Sequence, residues 1–573
     1  MTGASLMSFL ANRRWTLSAA AVALTCAVVP LAAQTVVPTP PPAVMGVAAV
    51  LPQARAIRGA VESIGDPALL AVYAGRNWAP IWLGDRPGRV AASMLAAFEG
   101  AGSHGLPSVA DTAALRVRLD ALAGLTGTAA WAEQAALDVA LSLAAMRYGT
   151  ELTSGALSPR RIDDEIHIDP PRPDRMALLN ALAASAEPRR TLEAMAPADP
   201  GYAALRGRLA AFRALIESGG WAAPAPDARV LRLGDSGPQV ERLRVRLIEL
   251  GDASPDLRPV VVASNAVEPP AAPSFDAELE AAVIRFQTRH GLNADGLVGR
   301  RSLEAMSVTA AGRLRQIAVN LERMRWMNRD LGARRIEVNQ ADFTMTLFDK
   351  GTQIETMRVV VGKADKHRTP EFSDVMTHMV VNPSWNIPRS ITTKEILPLL
   401  RADPSYLARQ NMVLIPTGDD PAPDPYTVDW SSYSERSFPW RIKQLPGDGN
   451  ALGRVKFMFP NQFSIYLHDT PSRSLFAKDM RAFSHGCVRL ERPIDLAHLL
   501  LEGQVDDPVV QFEEWEARGE EIWVKIENPL QVHLMYRTAW VDTATGQDRF
   551  RADIYGRDAT VWAALEKAGV SAM

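Results

Sequence analysis

The spacing of apolar residues changes several times along the chain, and each change predicts a different kind of structure. From about residue 55 to residue 220 the chain is rich in Ala and Leu, with apolar positions at helical intervals. Leu137, Leu141 and Leu152, for example, fall on one face of a single helix, because an α-helix turns once in about 3.6 residues. We predict that residues 55–220 fold as a helical scaffold domain.

A second helical segment, residues 229–306, is shorter and is divided by glycines. Its first run of apolar residues at helical spacing begins after Gly237 and ends at Gly251. A second helix is predicted to start at Asp276, and a turn at Gly296 leads into a third. The pattern predicts a compact module of three helices, with a long loop rich in Pro and Ala between the first two.

After this module the apolar period shortens to two, which is typical of β-strands with one buried face. Ile336 and Val338 alternate with polar residues, and the segment Asp349–Gly351 predicts a hairpin turn. Together with the amphipathic helix that precedes them, these strands predict a mainly antiparallel β domain over residues 313–560. The predicted fold class is therefore multidomain α+β.

The strand pattern is interrupted over residues 391–442, where helical and then loop-like sequence appears. Strand patterning returns only at Val455. An excursion of this length inside a compact domain is usually either functional or disordered. Because it ends shortly before the candidate catalytic residues, we predict a capping insert, or lid, made of helix and loop over the site.

The N-terminus has the pattern of an export signal. Arg13 and Arg14 precede an uncharged run, rich in Ala, that extends to Ala33. Residues 1–33 therefore predict either a cleaved signal peptide or a membrane anchor, and both interpretations stay open. Residues 34–54 are rich in proline and predict an extended linker. No later uncharged run is comparable, so the rest of the chain is expected on the far side of a membrane.

Composition narrows the classes of function. The chain has 573 residues and a formal net charge of −3, without clustered basic and aromatic residues. This balance argues against nucleic acid as a partner. The two cysteines are Cys26, inside the predicted signal, and Cys487. Because structural cysteines in an oxidising compartment are normally paired, a single thiol in the mature chain predicts a chemical role.

Cys487 lies within the stretch Ser484-His485-Gly486-Cys487-Val488-Arg489. A thiol becomes a good nucleophile when a nearby imidazole accepts its proton. His468, at the end of a predicted strand, and His485 are the two candidates, and we assign His468 as the general base. Gly486 predicts a tight turn whose backbone N–H groups can hold an oxyanion.

Two further roles are assigned in the same region. The ring of His468 needs a group that fixes its tautomer, and a backbone carbonyl near Asp469 and the Asp469 carboxylate are alternative candidates. Arg489 follows the thiol by two residues. Its guanidinium suits a substrate carboxylate, because the planar fork of N–H donors matches the two oxygens.

At these residues the chain resembles the L,D-transpeptidase family, and residues 229–306 resemble the three-helix peptidoglycan-binding domain of cell-wall enzymes. Stretches such as Asn382–Pro388 and Asp553–Gly556 are similar to the large periplasmic branch of the family. The family signature is a histidine followed, after a spacer, by Ser/Thr-His-Gly-Cys-x-Arg/Asn. The residues that supply it here are His468, Ser484, His485, Gly486, Cys487 and Arg489.

This resemblance implies a periplasmic enzyme, free or anchored in the inner membrane, that transfers an acyl group in two steps. Cys487 attacks the third residue of a donor stem tetrapeptide, the terminal D-Ala leaves, and an amine of an acceptor stem resolves the thioester into a 3→3 cross-link. No metal or other cofactor is implied, and carbapenems are expected to acylate the thiol. Tyr466, Trp385 and Ser484 are expected to contact the donor, and residues 229–306 the glycan strands.

Other reactions fit the same residues. An L,D-carboxypeptidase passes the acyl group to water, and a related transferase attaches a protein to peptidoglycan through a lysine. A wall-binding adapter with an inactive catalytic domain is a further alternative, against which the intact Cys487 and His468 argue. A lid that excludes water favours transfer over hydrolysis.

Overall fold

The computed structural model describes residues 51–84, 87–221, 225–227, 230–257, 274–417 and 421–571. The predicted signal or anchor, residues 1–33, lies outside the described residues, as does most of the predicted linker, residues 34–54. The first helix begins at Pro52, so the end of that linker segment is helical. In the described part of the chain, no helix is both long and apolar enough to span a membrane.

The N-terminal part is helical, as predicted, and packs around a core that includes Trp82, Phe98 and Tyr148. Aspartates precede several of its helices. Their carboxylates accept backbone N–H groups of the first turn, as at Asp66 and Asp174, which satisfies donors that have no partner inside the helix. The helices are α1 Pro52–Ile64, α2 Pro67–Gly75, α3 Pro87–Glu99, α4 Thr112–Ala121, α5 Gly127–Ser154, α6 Arg175–Ala184, α7 Pro188–Glu193 and α8 Pro200–Glu217.

The predicted three-helix module is also present. α9 (Pro238–Glu249), α10 (Ala277–Arg289) and α11 (Arg300–Met306) enclose a hydrophobic core of their own. Asp276 caps α10 by accepting the N–H of Leu279. Most of the loop predicted between α9 and α10 lies outside the described residues.

Helix α12 (Ala310–Trp326) leads from the module into the β domain and is buried along most of its length. It packs against α8 and against the C-terminal helix α18 (Arg557–Lys567). Glu322 and Arg325 of α12 form an ion pair, with 2.7 Å between Oε2 and Nη2, and both side chains are fully buried. The other oxygen of Glu322 accepts the N–H of Leu157, 2.9 Å away. One carboxylate thus joins the scaffold to the central helix.

The β domain begins after α12, and the prediction of a mainly antiparallel domain is confirmed. Its strands are β1 Arg335–Asn339, β2 Thr344–Asp349, β3 Thr352–Gly362, β4 Phe372–Val381, β5 Trp385–Ile387, β6 Met412–Ile415, β7 Arg441–Gln444, β8 Val455–Met458, β9 Leu467–His468, β10 Ala482–Ser484, β11 Val488–Leu490, β12 Ile522–Met535, β13 Ala539–Val541 and β14 Asp548–Phe550. Between β11 and β12 the domain has two helices, α16 Pro493–Leu501 and α17 Pro508–Ala517.

Nine of these strands form one mixed sheet in the order β10-β3-β11-β9-β8-β4-β12-β1-β2. β2 also pairs with β3, so the sheet closes on itself around a core that includes Val359, Phe457, Leu467 and Val488. The pairs β1–β12, β3–β10 and β9–β11 are parallel, and the other pairs are antiparallel. The parallel pair β9–β11 positions the candidate catalytic residues.

The segment between β4 and β8 forms a small subdomain with its own hydrophobic core. The sequence predicts helix and loop here and misses β6 and β7, which pair with β5 in the order β5-β7-β6. Strands of four residues carry too few alternating positions to be recognised. The helical elements are α13 Arg389–Ile391, a π-helical stretch Thr392–Ile396, α14 Leu397–Ala402 and α15 Tyr406–Arg409.

Removing the buried negative charge tests how strongly α12 depends on its ion pair. We expect Glu322→Gln to lower the free energy of unfolding by about 3–5 kcal/mol, because Arg325 then stays charged and buried without its partner. Glu62→Gln is a matched control in the exposed pair Arg58–Glu62 and should cost less than about 1 kcal/mol. Urea unfolding followed by circular dichroism measures both. Equal costs would contradict a special role for the buried pair.

Candidate active site

The candidate catalytic residues lie where two short strands run side by side. β9 and β11 pair in parallel, with Leu467 opposite Val488 and His468 opposite Arg489. Leu467 and Val488 belong to the core. Because successive side chains of a strand alternate between faces, His468 and Arg489 lie together on the other face. Cys487 directly precedes β11 and is half-buried.

The segment before β11 turns sharply around Ser484. The Ser484 hydroxyl donates to the carbonyl of Cys487, 2.6 Å away, and accepts the N–H of Gly486, 3.1 Å away. Gly486 has a φ of +118°, a left-handed conformation that a side chain would strain. The hydroxyl of Ser484 is thus committed to the turn. The backbone N–H of Cys487 has no acceptor in the described part of the chain.

A network that the sequence alone does not reveal supports this turn from behind. Thr369 Oγ1 donates to the carbonyl of Gly486, 2.7 Å, and accepts the N–H of Gly362, 2.9 Å. The Tyr555 hydroxyl donates to the carbonyl of Gly362, 2.7 Å. A Cβ at Gly362 would collide with the carbonyl of His367, so the close approach requires glycine. Of the supporting residues Thr369, Gly362 and Tyr555, only Tyr555 falls in a stretch that resembles the family.

His468 is buried, and its ring Nδ1 lies 2.5 Å from the carbonyl oxygen of Asp469. A carbonyl only accepts, so Nδ1 carries the proton and Nε2 is left as an acceptor. The Asp469 carboxylate accepts the N–H groups of Arg454 and Thr470, 2.9 and 2.7 Å away. Of the two orienting groups considered from the sequence, the structure places the backbone carbonyl against the ring.

Burial dominates the acid–base properties of His468 and Cys487. It lowers the pKa of His468 to about 3, and the positive charge of Arg489 lowers it further. Burial also raises the pKa of Cys487 to about 11, although Tyr466 and Arg489 favour the thiolate. The thiol donates to the carbonyl of Ser464, 3.6 Å away. Both groups are therefore neutral near pH 7, and a proton has to leave the sulfur as the sulfur attacks.

Arg489 lies on the same face of the sheet as His468, and part of its hydrogen-bonding capacity is unused. Its Nε is buried and has no partner in the described part of the chain. Burial lowers the pKa of Arg489, and a negative charge at Cys487 would raise it. A buried guanidinium nitrogen without an acceptor costs free energy until a ligand or water supplies one. The arrangement fits a site for a substrate carboxylate.

His485 faces the small subdomain between β4 and β8. Its Nε2 lies 2.7 Å from Oε1 of Glu395, which belongs to the π-helical stretch. Its ring centroid lies 4.6 Å from that of His367. Neither Glu395 nor His367 is a candidate from the sequence, because both contacts join segments far apart in the chain. The imidazole of His485 is thus engaged by Glu395, whereas that of His468 keeps Nε2 free.

Tyr466 and Trp385 meet beside the thiol. The Tyr466 hydroxyl interacts with the Cys487 sulfur and with the Trp385 side chain, and burial raises the pKa of Tyr466 well above its ordinary value. The Tyr466 ring also contacts the ring of His468 edge to face, with 5.6 Å between centroids. The described residues contain no cluster of three or more His, Cys, Asp or Glu side chains that could hold a metal ion.

Three family models match separate parts of the chain. Residues 333–510 match the L,D-transpeptidase catalytic domain. Residues 67–209 match a family described as a scaffold domain. Residues 236–306 match a family described as "Putative peptidoglycan binding domain".

A curated protein of Haemophilus influenzae, named "Putative L,D-transpeptidase", is 36% identical over 228 residues. The match covers 39% of this chain and 44% of that protein, so the chain spans less than half the length of the relative.

Among solved structures, the L,D-transpeptidase of Xylanimonas cellulosilytica is 14% identical, covering 54% of this chain and 99% of its own, with a TM-score of 0.16. The L,D-transpeptidase of Stackebrandtia nassauensis is 16% identical, covering 55% and 97%, with a TM-score of 0.18. TM-scores this low support no conclusion about the fold.

The matched catalytic segment contains both His468 and the stretch from Ser484 to Arg489 on which the resemblance rests. The matched peptidoglycan-binding segment coincides with the module of α9, α10 and α11. The resemblance is confirmed for this segment: residues 333–510 match the catalytic domain of the L,D-transpeptidase family.

Proposed function

We propose that this protein is a cysteine-dependent L,D-transpeptidase that forms 3→3 cross-links between peptidoglycan stem peptides. The observation that carries the proposal is the parallel pairing of β9 with β11, which sets His468 opposite Arg489, two residues after Cys487. The family match of residues 333–510 supports the class of reaction.

In the first half-reaction, the Cys487 sulfur attacks the carbonyl carbon of the third residue of a donor tetrapeptide. His468 accepts the thiol proton at Nε2, which the hydrogen bond to Asp469 leaves free. The oxyanion of the tetrahedral intermediate receives the N–H of Cys487, a donor without another acceptor in the described part of the chain. His468 then returns the proton to the amine of the departing D-Ala, and a thioester remains on the sulfur.

In the second half-reaction, a side-chain amine of the acceptor stem attacks the thioester carbonyl. His468 takes a proton from this amine, the new amide bond forms, and the sulfur leaves and recovers the proton. Water in place of the amine gives an L,D-carboxypeptidase, and a protein lysine gives attachment of that protein to peptidoglycan. The contact between Glu395 and His485 favours transfer, because it holds the insert against the motif and restricts the access of water.

The remaining site residues have binding and positioning roles in this proposal. Arg489 holds a carboxylate of the donor, to which its unsatisfied Nε is suited. Tyr466 and Trp385 form the wall beside the sulfur. Ser484 acts on the turn, since both hydrogen bonds of its hydroxyl are made to backbone groups of the motif.

We also propose the domain division given by the sequence. It comprises a scaffold over 55–220, a peptidoglycan-binding domain over 229–306 and a catalytic domain over 313–560 that includes the insert 391–442. The match over 236–306 supports glycan strands as a partner. A substrate in the cell wall places the folded chain in the periplasm.

Substitution separates the nucleophile from the base. We expect Cys487→Ala to abolish both 3→3 dimer formation from disaccharide-tetrapeptides and acylation by a carbapenem. His468→Ala should slow acylation by about 10²–10⁴-fold, because it removes the proton acceptor, while His485→Ala should slow it by less than about tenfold. Mass spectrometry of the products and of the intact protein measures these effects.

Each alternative has its own outcome in that experiment. Dimers formed by Cys487→Ala would disprove the nucleophile, and the opposite ranking of the two histidine variants would move the base to His485. Tripeptide without dimer from the unmodified protein would replace transfer by carboxypeptidase activity.

Because Cys487 and His468 are both neutral near pH 7, the rate at which the thiol is alkylated should depend on pH in a characteristic way. Because burial raises the pKa of Cys487 to about 11, its alkylation by iodoacetamide should be slow at neutral pH and should keep rising through about pH 9. The urea-unfolded chain is the control, and its rate should level off above the ordinary thiol pKa of about 8.5. Mass spectrometry of the peptide that contains Cys487 gives the rate. A plateau below neutral pH would indicate a thiolate–imidazolium pair instead.

A further inference from the structure

The register of the sheet extends the site beyond the residues of the motif. Arg489 lies opposite His468, and His468 lies opposite Lys456 of β8. Lys456 in turn lies opposite Val380 of β4, which lies opposite Trp523 of β12. Directly paired residues present their side chains on the same face of a sheet. A single row of side chains therefore crosses five strands, with the proposed base between two cations.

Among the residues that the structure describes, no counter-charge lies within hydrogen-bond distance of Lys456. In the part of the chain that the structure describes, its ammonium makes no hydrogen bond or ion pair. Glu521 is the nearby carboxylate, but its oxygens accept hydrogen bonds from Ser384 N, 2.6 Å, and Trp523 Nε1, 3.0 Å. Burial lowers the pKa of Lys456, Glu521 opposes that effect, and the positive charge of Lys443 adds to it.

The ring of Trp523 fixes the position of this ammonium. Lys456 Nζ lies 5.7 Å from the Trp523 ring centroid, within the range of a cation–π contact. His378 stacks on the same ring, with 4.8 Å between centroids. Trp523 is nonetheless 60% exposed, so this end of the row is open to a ligand. The lysine is thus held in place without being neutralised.

The two flanking cations make this face of the sheet electropositive. Adjacent strands lie about 4.8 Å apart, so Arg489 and Lys456 start from backbone positions roughly 10 Å apart, one on each side of His468. Both lower the pKa of His468. Partly buried cations without partners cost free energy, and a surface of one sign attracts ligands of the opposite sign. The row is suited to a ligand with two separated anionic groups.

We propose that Lys456 forms a second carboxylate subsite of the donor groove, so that Arg489 and Lys456 hold two different carboxylates of one stem peptide on either side of His468. This inference rests on the proposed function, because it takes the stem peptide as the substrate. Stem peptides are polyanionic, and a chain that crosses two strand spacings covers about three residues at about 3.3 Å each. Lys456 is therefore a binding residue, and it takes no part in the covalent steps.

The test removes the positive charge at residue 456 or one negative charge of the substrate, and it compares the effects of the two changes on KM. We expect Lys456→Met to raise KM for the disaccharide-tetrapeptide by about tenfold, the size of one lost ion pair, with kcat changed by less than about threefold. Lys456→Arg should restore most of the affinity. A set of tetrapeptides, each with one carboxylate converted to a carboxamide, identifies the group that is bound. For the tetrapeptide that has lost the carboxylate bound by Lys456, the unmodified protein and Lys456→Met should have the same KM.

Lys525→Met is the matched control, because Lys525 lies opposite His378 on the same face, is exposed, and carries the same charge. It should leave KM within about twofold, since one exposed charge contributes little. Alkylation of Cys487 by the neutral reagent iodoacetamide reports whether each variant keeps the folded site.

Three outcomes would overturn the inference. Lys456→Met could raise KM equally for every amidated peptide, it could lower kcat alone, or Lys525→Met could have the same effect as Lys456→Met. Turnover of the tetrapeptide by the unmodified protein is the separate test of the proposed function. Failure there overturns both proposals, whereas normal turnover with an unchanged KM in Lys456→Met overturns the subsite alone.

Discussion

The site depends on the parallel register between β9 and β11. With Leu467 opposite Val488 in the core, His468 and Arg489 are placed together on the opposite face of the sheet. A shift of one residue in either strand would turn its functional side chain into the core and a core residue outward. Parallel neighbours also need a long connection, which here runs through β10 and returns to the motif. Backbone pairing therefore sets the relative positions of the proposed catalytic residues.

Part of what holds that register lies far from the motif in sequence. The turn before β11 is closed by Ser484 and supported by Thr369, which itself contacts Gly362. Tyr555 donates to the carbonyl of Gly362, so the segment that leads into α18 reaches the back of the catalytic turn. Arg557 is fully buried and forms an ion pair with Glu371, 3.1 Å away. Glu371 lies in the same loop as Thr369, between β3 and β4. The C-terminal segment is thus part of the support of the site.

The sequence points to the groups that we propose as catalytic, and it misses the residues that hold them in place. Cys487 stands out because it is the one cysteine outside the predicted signal and lies beside histidines, and His468 stands out because it ends a recognisable strand. The choice between the carbonyl and the carboxylate of Asp469 depends on backbone direction, which no local pattern encodes. Thr369 and Lys456 look like ordinary loop and strand residues, and only long-range pairing brings them to the site. Glu395 is hidden for the same reason.

The electrostatics of the row link binding to catalysis. In the free protein, burial and the charge of Arg489, with a smaller contribution from Lys456, hold the pKa of His468 near 3, which makes it a poor proton acceptor. In the proposed complex, substrate carboxylates neutralise both cations, and two of the causes of that low pKa are removed. The imidazole becomes more basic when the donor is bound and the carbonyl is within reach of Cys487. A site of this kind keeps its thiol protonated until its own substrate completes the charge balance.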